Sequence, residues 1–249
     1  MSGTKYSEEI FMFLILTMAG LYHRFTKEGF NTPKYLLPWG ERTILAVILD
    51  ELNRENFFSN VLLVANQRHN PYMPHVHAVM KRHNIKIENL ILTPDTSGQA
   101  ETAMVGVNAL ESLYGEIEQP IIFHNIDTIL LNRNINEIKH ALKFNSGYID
   151  IFEASHKEYS YVLTDKDKKV TEITEKIIVS DLATSGLYGF QNLAIYKKYA
   201  STEDVYISSV FKKMILDGKT ILASNKHNGK ETIVLGYPAE YMNASLTLL

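Results

Sequence analysis

Three residues near the start of the chain could together bind a phosphorylated ligand. Gly20 follows an apolar run over residues 11–17, and Arg24 and Lys34 come next, the lysine directly after Pro33. Backbone N–H groups that converge in a loop after a buried strand stabilise anionic oxygens. An arginine can hold two phosphate oxygens at once, whereas a lysine contributes a movable point charge. This spacing predicts a nucleoside triphosphate site, and an ordinary strand-to-helix turn is the alternative.

A carboxylate further along the chain could bind a metal ion. Asp127 stands just beyond the apolar residues 121–123, where a strand of an open parallel sheet would end and where such sheets bind ligands. Mg²⁺ prefers oxygen ligands and usually takes only one or two carboxylates. The alternative is a structural Asp that caps the following segment. The residues alone leave both interpretations open.

A charged pair ends another predicted strand. Glu175 and Lys176 follow a β-branched segment over residues 169–174. From the residues alone, a solvated surface ion pair is expected, because most charged residues are exposed.

Polar residues also follow the third predicted strand. Thr93 and Gln99 offer polar side-chain atoms at this point, and Gly98 would permit a ligand to approach the backbone closely. Ordinary turn residues and a first helical turn would have the same sequence.

Five short segments that contain these residues resemble the nucleotidyltransferase family, that is, the sugar-1-phosphate nucleotidyltransferases or NDP-sugar pyrophosphorylases. The first segment reads Met-Ala-Gly-Leu-Tyr-His-Arg and then Pro-Lys-Tyr-Leu-Leu-Pro, where the family has A-G-x-G-x-R and P-K-x-L-x-P. The others are Ser97-Gly-Gln-Ala-Glu-Thr102, Asn125-Ile-Asp127-Thr, Thr174-Glu-Lys176 and Thr184-Ser-Gly-Leu-Tyr188. The segments occur in the family's order and span most of the chain. The chain resembles most a branch that is encoded with capsule and lipopolysaccharide genes.

The resemblance implies an Mg²⁺-dependent enzyme that joins a nucleoside triphosphate and a sugar phosphate, or a related phosphorylated alcohol, and releases pyrophosphate. It implies that Arg24, Lys34 and Lys176 are catalytic cations and that Asp127 binds the metal ion. Residues implied to bind the nucleotide are Met18, Ala19, Gly20, Leu21, Thr93, Gly98 and Gln99, and those implied to bind the acceptor are Asn125, Ser160, Glu175, Lys176 and Thr184. Such a reaction needs no protein nucleophile, because catalysis consists of aligning two anions and neutralising developing charge.

The chain departs from the family pattern at three positions. Tyr22 stands where the second Gly is expected, and His23 replaces a small residue. Tyr lacks the freedom of Gly at positive φ, so either the loop bends differently and the ring points away, or nucleotide binding is weakened. Val234 stands where many relatives have a second metal-binding Asp. Either Asp127 binds the ion with phosphates and water, or a residue such as Glu231 compensates.

Two other classes of function remain open. One is a nucleotide-sugar-dependent glycosyltransferase in which Asn125-x-Asp127 replaces a D-x-D motif, although Lys34 and the Gly20 loop suit a triphosphate better. The other is a nucleotide-binding homologue with impaired catalysis, which the departures at Tyr22, His23 and Val234 suggest.

Composition limits the possible partners. The 249 residues carry a net charge of −3 and no cysteine, so neither nucleic acid nor an anionic membrane is expected to bind through overall charge. The apolar run over residues 11–17 is too short to span a bilayer, and acidic residues precede it, which argues against a signal peptide. We therefore expect a cytoplasmic protein, and the sequence does not determine its oligomeric state.

Hydrophobic periodicity predicts an α/β domain with a Rossmann-like, mostly parallel mixed sheet and helices on both faces. The predicted strands cover residues 11–17, 60–65, 89–93 and 120–124, and the predicted helices cover 43–53, 71–83, 99–114 and 134–143. A small antiparallel sugar-binding lobe is expected after residue 146, from strands over 148–153, 159–164 and 169–174. A strand over 183–190 should then return to the core, and helices are expected over 192–200 and 203–217. We expect one domain over residues 11–249, with a nucleotide-binding half (11–145) and a sugar-phosphate-binding half (146–249), and disorder over 1–10.

Overall fold

The computed structural model describes residues 11–54 and 56–248, so the disorder expected over residues 1–10 lies outside the described residues. The strands are β1 (Met12–Met18), β2 (Pro38–Trp39), β3 (Arg42–Thr43), β4 (Phe58–Asn66), β5 (Leu90–Thr93), β6 (Ile121–Asn125), β7 (Thr128–Leu130), β8 (Gly147–Glu153), β9 (Ser160–Thr164), β10 (Val170–Glu175), β11 (Leu182–Phe190), β12 (Ile221–Ala223) and β13 (Thr232–Val234). The helices are α1 (His23–Lys27), α2 (Ile44–Leu52), α3 (Met73–Arg82), α4 (Gln99–Tyr114), α5 (Ile135–Phe144), α6 (Leu193–Tyr199), α7 (Ile207–Leu216) and α8 (Pro238–Leu246).

A nine-stranded mixed sheet organises the described residues. Its main path runs in the order β10-β9-β11-β6-β1-β4-β5, with β8 paired to β11 and β12 paired to β8. β1 pairs in parallel with both β4 and β6, and β4 pairs in parallel with β5. The four strands predicted to be parallel therefore form the centre and one edge of the sheet, which confirms the predicted fold class.

Helices cover both faces of this sheet, as predicted. Successive side chains of a strand point to opposite faces, so an apolar strand covered on both faces is buried at every position. In β1, Leu14 and Leu16 belong to one hydrophobic cluster with residues of α2 and α3, whereas Phe13 and Ile15 belong to another with residues of α4 and α7. The continuous apolar run of β1 follows from this double coverage.

The second half of the chain extends the same sheet. β11 pairs antiparallel with β6, β8 and β9, and β9 pairs antiparallel with β10. The antiparallel strands and the return of β11 to the core were predicted. The predicted lobe is thus continuous with the central sheet, because β11 joins the two halves by backbone hydrogen bonds.

The helix predicted over residues 203–217 begins later, at Ile207. The carboxylate of Asp204 accepts hydrogen bonds from the backbone N–H of Ser201 at 2.7 Å and from its hydroxyl at 3.0 Å. This local bonding stabilises a turn in place of the first helical turn.

The sequence analysis did not predict the two-stranded ribbon of β7 and β13, whose strands lie about a hundred residues apart in sequence. The guanidinium of Arg133 holds it in place through a donated bond to the carbonyl of Glu231 at 2.8 Å and an ion pair with Asp150 at 3.0 Å. The Arg133 and Asp150 side chains are 2% and 1% exposed. No helix within residues 11–54 and 56–248 is long and apolar enough to cross a bilayer.

Candidate active site

Two neighbouring cavities lie where β1 and β6 end, at the carboxyl edge of the parallel strands. The first has a volume of about 340 Å³ and is lined by the Gly20 loop, Lys34 and Gly98; we call it the loop cavity. The second has a volume of about 260 Å³ and is lined by residues of the β9–β10 hairpin; we call it the hairpin cavity. Their shared wall consists of Gln99, Asn125, Asp127 and Tyr206. Ligands in the two cavities would meet across these four side chains.

In the loop after β1, Tyr22 adopts a backbone conformation that is usual for glycine. This residue has φ 51°, in the left-handed region that non-glycine residues rarely adopt. Its hydroxyl donates to the carbonyl of Met18 at 2.9 Å, and its ring stacks on His69 with centroids 5.4 Å apart. Tyr22 also lines the loop cavity. Tyr22 thus adopts a left-handed backbone conformation, and its ring does not point away but forms part of the wall of the loop cavity.

Lys34 is a buried cation at the junction of the cavities. Its side chain is 6% exposed, and its Nζ lies 3.6 Å from Oδ2 of Asp127 and 5.0 Å from the centroid of the Phe25 ring. Burial lowers the pKa of Lys34, while the nearby carboxylate of Asp127 opposes this shift. An ammonium group held in so little water interacts strongly with an anion that enters the loop cavity.

Asp127 lies in the turn between β6 and β7 and faces both cavities. Its side chain is 40% exposed, which leaves oxygen atoms free for a ligand. A single carboxylate suits Mg²⁺ when phosphates and water supply the other oxygens. Asp127 therefore fits the predicted role of metal ligand.

The position predicted for a second metal carboxylate does lie beside Asp127. Val234 pairs with Thr128 across the β7–β13 ribbon, and the N–H of Leu235 donates to the carbonyl of Asp127 at 2.7 Å. Val234 lines the hairpin cavity. Glu231 lies at the far end of this ribbon, where its carboxylate accepts from the N–H of Asn228, so it does not compensate for the missing Asp. Within the described residues, no three His, Cys, Asp or Glu side chains are grouped to hold a metal.

The predicted acceptor residues line the hairpin cavity. Glu175 lies opposite Ser160 in the β9–β10 ladder, and its Oε2 accepts hydrogen bonds from the hydroxyls of Ser160 and Ser208, the latter at 2.8 Å. Lys176 follows with φ 58°, an uncommon conformation that often marks functional residues. Thr184 also faces this cavity, as does Asn125 from β6. The β9–β10 register thus brings together residues that the sequence places in separate motifs.

Arg24 lines the hairpin cavity, whereas the sequence predicted that it would line the loop cavity. We expected it at the triphosphate loop, but it lines the hairpin cavity, where its Nη2 is 3.3 Å from Oε2 of Glu158. Its guanidinium also lies over the ring of Tyr237, 4.1 Å from the centroid. The reason is α1, which begins at His23 and turns Arg24 away from the Gly20 loop.

The remaining predicted nucleotide residues differ in position. Ala19, Gly20, Leu21, Gly98 and Gln99 line the loop cavity, whereas Met18 and Thr93 are buried and line neither cavity. Nucleotide contacts from Met18 and Thr93 therefore stay predictions.

Protein contacts explain part of the sequence at Gly98 and Gln99. A Cβ at Gly98 would lie 2.4 Å from the carbonyl oxygen of Val205, so a neighbouring protein backbone requires this glycine. The amide of Gln99 donates to Asn125 and accepts from the N–H of Ile207 at 3.2 Å. Its orientation is thereby fixed in the wall between the cavities.

Several site residues escaped the sequence analysis, namely Glu158, Tyr206, Tyr237 and Glu240. None of them belongs to a motif used above: Glu158 lies before β9, Tyr206 lies before α7, and Tyr237 and Glu240 lie together at the start of α8. Only Glu158 carried a usable signal, because it lies two residues before Ser160 on the predicted hairpin.

Comparison with solved structures identifies the class of fold. No family model and no curated protein sequence matches the chain. The chain is similar to the nucleoside-diphosphate-sugar pyrophosphorylase from Vibrio cholerae RC9, with a TM-score of 0.79, 23% identity and coverage of 92% of this chain and 98% of that one. The chain therefore has the fold of the NDP-sugar pyrophosphorylases and related nucleotidyltransferases, which confirms the predicted resemblance for the fold.

Two further neighbours share this fold. HddC from Yersinia pseudotuberculosis matches with a TM-score of 0.70 and 18% identity, over 96% of this chain and all of that one. The inositol-1-phosphate CTP transferase from T. maritima matches with a TM-score of 0.69 and 14% identity, over 96% of each chain.

Proposed function

We propose that the protein is a nucleotidyltransferase that joins a nucleoside triphosphate and a sugar phosphate, or a related phosphorylated alcohol, and releases pyrophosphate. The pair of cavities that share Asp127 carries this proposal. One cavity combines a glycine-bearing loop with the buried ammonium of Lys34, and the other combines Lys176 and Arg24 with hydroxyl and carboxylate groups. Such a division suits two phosphorylated substrates that react at a common boundary.

The reaction needs alignment of two anions. A phosphate oxygen of the acceptor, held in the hairpin cavity, attacks the α-phosphorus of the triphosphate, and the bond to the β-phosphate oxygen breaks as pyrophosphate leaves. Two unit anions about 4 Å apart repel by roughly 4 kcal/mol at an effective dielectric near 20. Lys34 would offset this repulsion from the nucleotide side, and Lys176 and Arg24 from the acceptor side.

Asp127 would hold Mg²⁺ at this boundary. The ion would supply positive charge to the phosphate oxygens when bound. Asp127 would also orient the ammonium of Lys34, whose Nζ is 3.6 Å away.

The names of the structural neighbours support the class of acceptor. They include a nucleoside-diphosphate-sugar pyrophosphorylase and an inositol-1-phosphate CTP transferase, and these names support a sugar phosphate or a phosphorylated alcohol as the acceptor. The sequence resemblance to a branch encoded with capsule and lipopolysaccharide genes supports a role in surface polysaccharide synthesis. We place the reaction in the cytoplasm, where nucleoside triphosphates are made.

One observation favours a second candidate, a nucleotide-binding homologue with impaired catalysis. Val234 occupies the place beside Asp127 where the sequence resemblance implies a second carboxylate. A metal ion held by one protein carboxylate would bind more weakly, and turnover would suffer more than nucleotide binding.

A screen for pyrophosphate release tests the proposal. The protein is incubated with Mg²⁺, each of the common nucleoside triphosphates and a panel of sugar and polyol phosphates, with Asp127→Ala as the paired variant. We expect one combination to release pyrophosphate and Asp127→Ala to abolish the release. Glycosyl transfer from a nucleotide sugar without pyrophosphate release would instead identify a glycosyltransferase. Thermal stabilisation by a nucleotide without any product, retained in Asp127→Ala, would identify the impaired homologue.

A further inference from the structure

A carboxylate bridges the two cations of the hairpin cavity. Oε2 of Glu158 lies 3.3 Å from Nη2 of Arg24 and 3.6 Å from Nζ of Lys176. All three residues line the cavity. One carboxylate oxygen thus sits between the guanidinium and the ammonium group that we assign to the acceptor phosphate.

The fold fixes Glu158 in this place. Ser160 pairs with Glu175 at the start of the β9–β10 ladder, and the N–H of Lys176 donates to the carbonyl of Tyr159 at 3.0 Å. The turn before β9 therefore lies directly beside the end of β10. Arg24 approaches from α1, where the ring of Tyr237 supports its guanidinium. Two segments, α1 and the end of β10, thus bring a cation to the carboxylate of Glu158.

We propose that Glu158 is a built-in anion that occupies the site of the acceptor's phosphate and is displaced when the acceptor binds. This inference rests on the proposed function, because it names the regulation of the same site. A phosphate monoester carries close to two negative charges at neutral pH and three terminal oxygens, so it can bind both cations at once. A carboxylate carries one charge and competes less well.

The contacts of Glu158 are of the kind that a ligand can replace. Its side chain is 35% exposed, and those of Arg24 and Lys176 are 53% and 45% exposed. Ion pairs this exposed contribute little to stability, since water and salt screen them. Lys176 and Arg24 lower the pKa of the Glu158 carboxyl, so it is ionised at neutral pH.

The other carboxylates of the cavity are held differently. Glu175 accepts hydrogen bonds from two serine hydroxyls, Glu240 accepts from the N–H of Tyr237 at 2.9 Å, and Asp127 pairs with Lys34 at 3.6 Å. Glu158 is the described carboxylate of this cavity that pairs with both Arg24 and Lys176. This pairing would make the cavity selective among anionic ligands. An entering anion must displace the carboxylate of Glu158 from both cations, which favours phosphate monoesters over acids with a single charge.

The test compares wild type with Glu158→Gln, which keeps the size of the side chain and removes its charge. Binding of inorganic phosphate is measured by isothermal titration calorimetry, and KM for the acceptor is measured where turnover is found. We expect phosphate to bind the variant about two- to tenfold more tightly, because two exposed ion pairs no longer compete. KM for the acceptor should fall by a similar factor. Glu111→Gln, which removes an exposed carboxylate paired with Lys197, should leave both values unchanged.

A second substitution locates the bound phosphate. In the Glu158→Gln background, Lys176→Met should abolish the gain in phosphate affinity. Persistence of the gain would show that phosphate binds elsewhere and would overturn the inference, as would an unchanged or weaker affinity in Glu158→Gln alone.

The outcomes separate this inference from the proposed function. Phosphate binding requires no turnover, so tighter binding by Glu158→Gln without any pyrophosphate release would support the displaceable anion and contradict the enzyme. If wild type releases pyrophosphate but Glu158→Gln binds phosphate with unchanged affinity, the result would contradict the displaceable anion and leave the proposed function standing.

Discussion

Replacement of Lys34 by methionine tests whether the buried ammonium serves chemistry or folding. Its side chain is 6% exposed, and its Nζ lies between the carboxylate of Asp127 and the ring of Phe25. Methionine fills a similar volume without the charge. Replacing a whole buried ion pair by apolar side chains is often neutral or stabilising, whereas removing one partner is costly when the other charge stays buried. Asp127 is partly exposed, so water can solvate its carboxylate when the lysine is gone.

The expected effects on rate and stability therefore differ. Unit charges about 4 Å apart interact by roughly 4 kcal/mol at an effective dielectric near 20, and a phosphate bound in the loop cavity would lose an interaction of this order. Loss of one preorganised donor to a developing anion commonly slows turnover about 10²- to 10³-fold. We expect Lys34→Met to slow pyrophosphate release by that factor while the free energy of unfolding changes by less than about 1 kcal/mol.

The pH dependence gives a second measure of the same group. Burial lowers the pKa of Lys34 below its ordinary value of 10.5, so activity that needs the ammonium form should fall as the pH rises through this lowered pKa. Between the lowered pKa and 10.5 the unfolded chain binds more protons than the folded protein at this residue. The contribution of Lys34 to folding stability therefore rises with pH across that window, and Lys34→Met should lack this rise.

Steady-state pyrophosphate release and urea denaturation, each measured across this pH range, provide the assay. Lys197→Met, which removes an exposed lysine on α6 that pairs with Glu111, is the matched control and should change neither quantity by much. Turnover of Lys34→Met within tenfold of wild type would refute the assigned role. A loss of activity in proportion to a loss of folded protein would show that the lysine acts through stability.

Two further substitutions probe the metal position and the ribbon that carries it. Val234→Asp adds a second carboxylate opposite Thr128, beside Asp127, so the Mg²⁺ concentration for half-maximal activity should fall; an equal or higher requirement would contradict the placement of the ion. Asp150→Asn leaves the buried guanidinium of Arg133 without its charged partner and should lower the free energy of unfolding by about 3–5 kcal/mol in urea titrations. If the free energy of unfolding falls by less than about 1 kcal/mol, the ion pair of Arg133 and Asp150 does not anchor the ribbon.

Local sequence patterns predicted most of the central framework. Helix α4 lies over residues 99–114 as predicted, and β1 and β6 are each displaced by one residue from the predicted runs. The strands carry continuous apolar runs and the helix is sixteen residues long, so burial in or against the sheet sets their sequence patterns. Shorter elements were missed where their stability comes from distant partners, as with β7 and β13, which pair across the chain.

The candidate site was predicted in part for the same reason. Lys34, Asp127 and Lys176 lie next to apolar strands or in short motifs, and the structure places all three at the two neighbouring cavities. Arg24 was predicted at the loop cavity but lies at the hairpin cavity, because α1 begins one residue before it. Glu158 could not be assigned a role, since its contacts depend on the register of β9 against β10 and on the position of α1.

The sequence by itself determined the α/β alternation, the order of the motifs and the kinds of charged group available for binding phosphate. These properties depend on residues close together in the chain, where apolar periodicity and loop composition act locally. Only the tertiary structure decided which charges face one another: Lys34 against Asp127, and Glu158 between Arg24 and Lys176. Such contacts depend on strand register and on helix starts to within one residue, and a displacement of one residue turns a side chain to the opposite face of its strand.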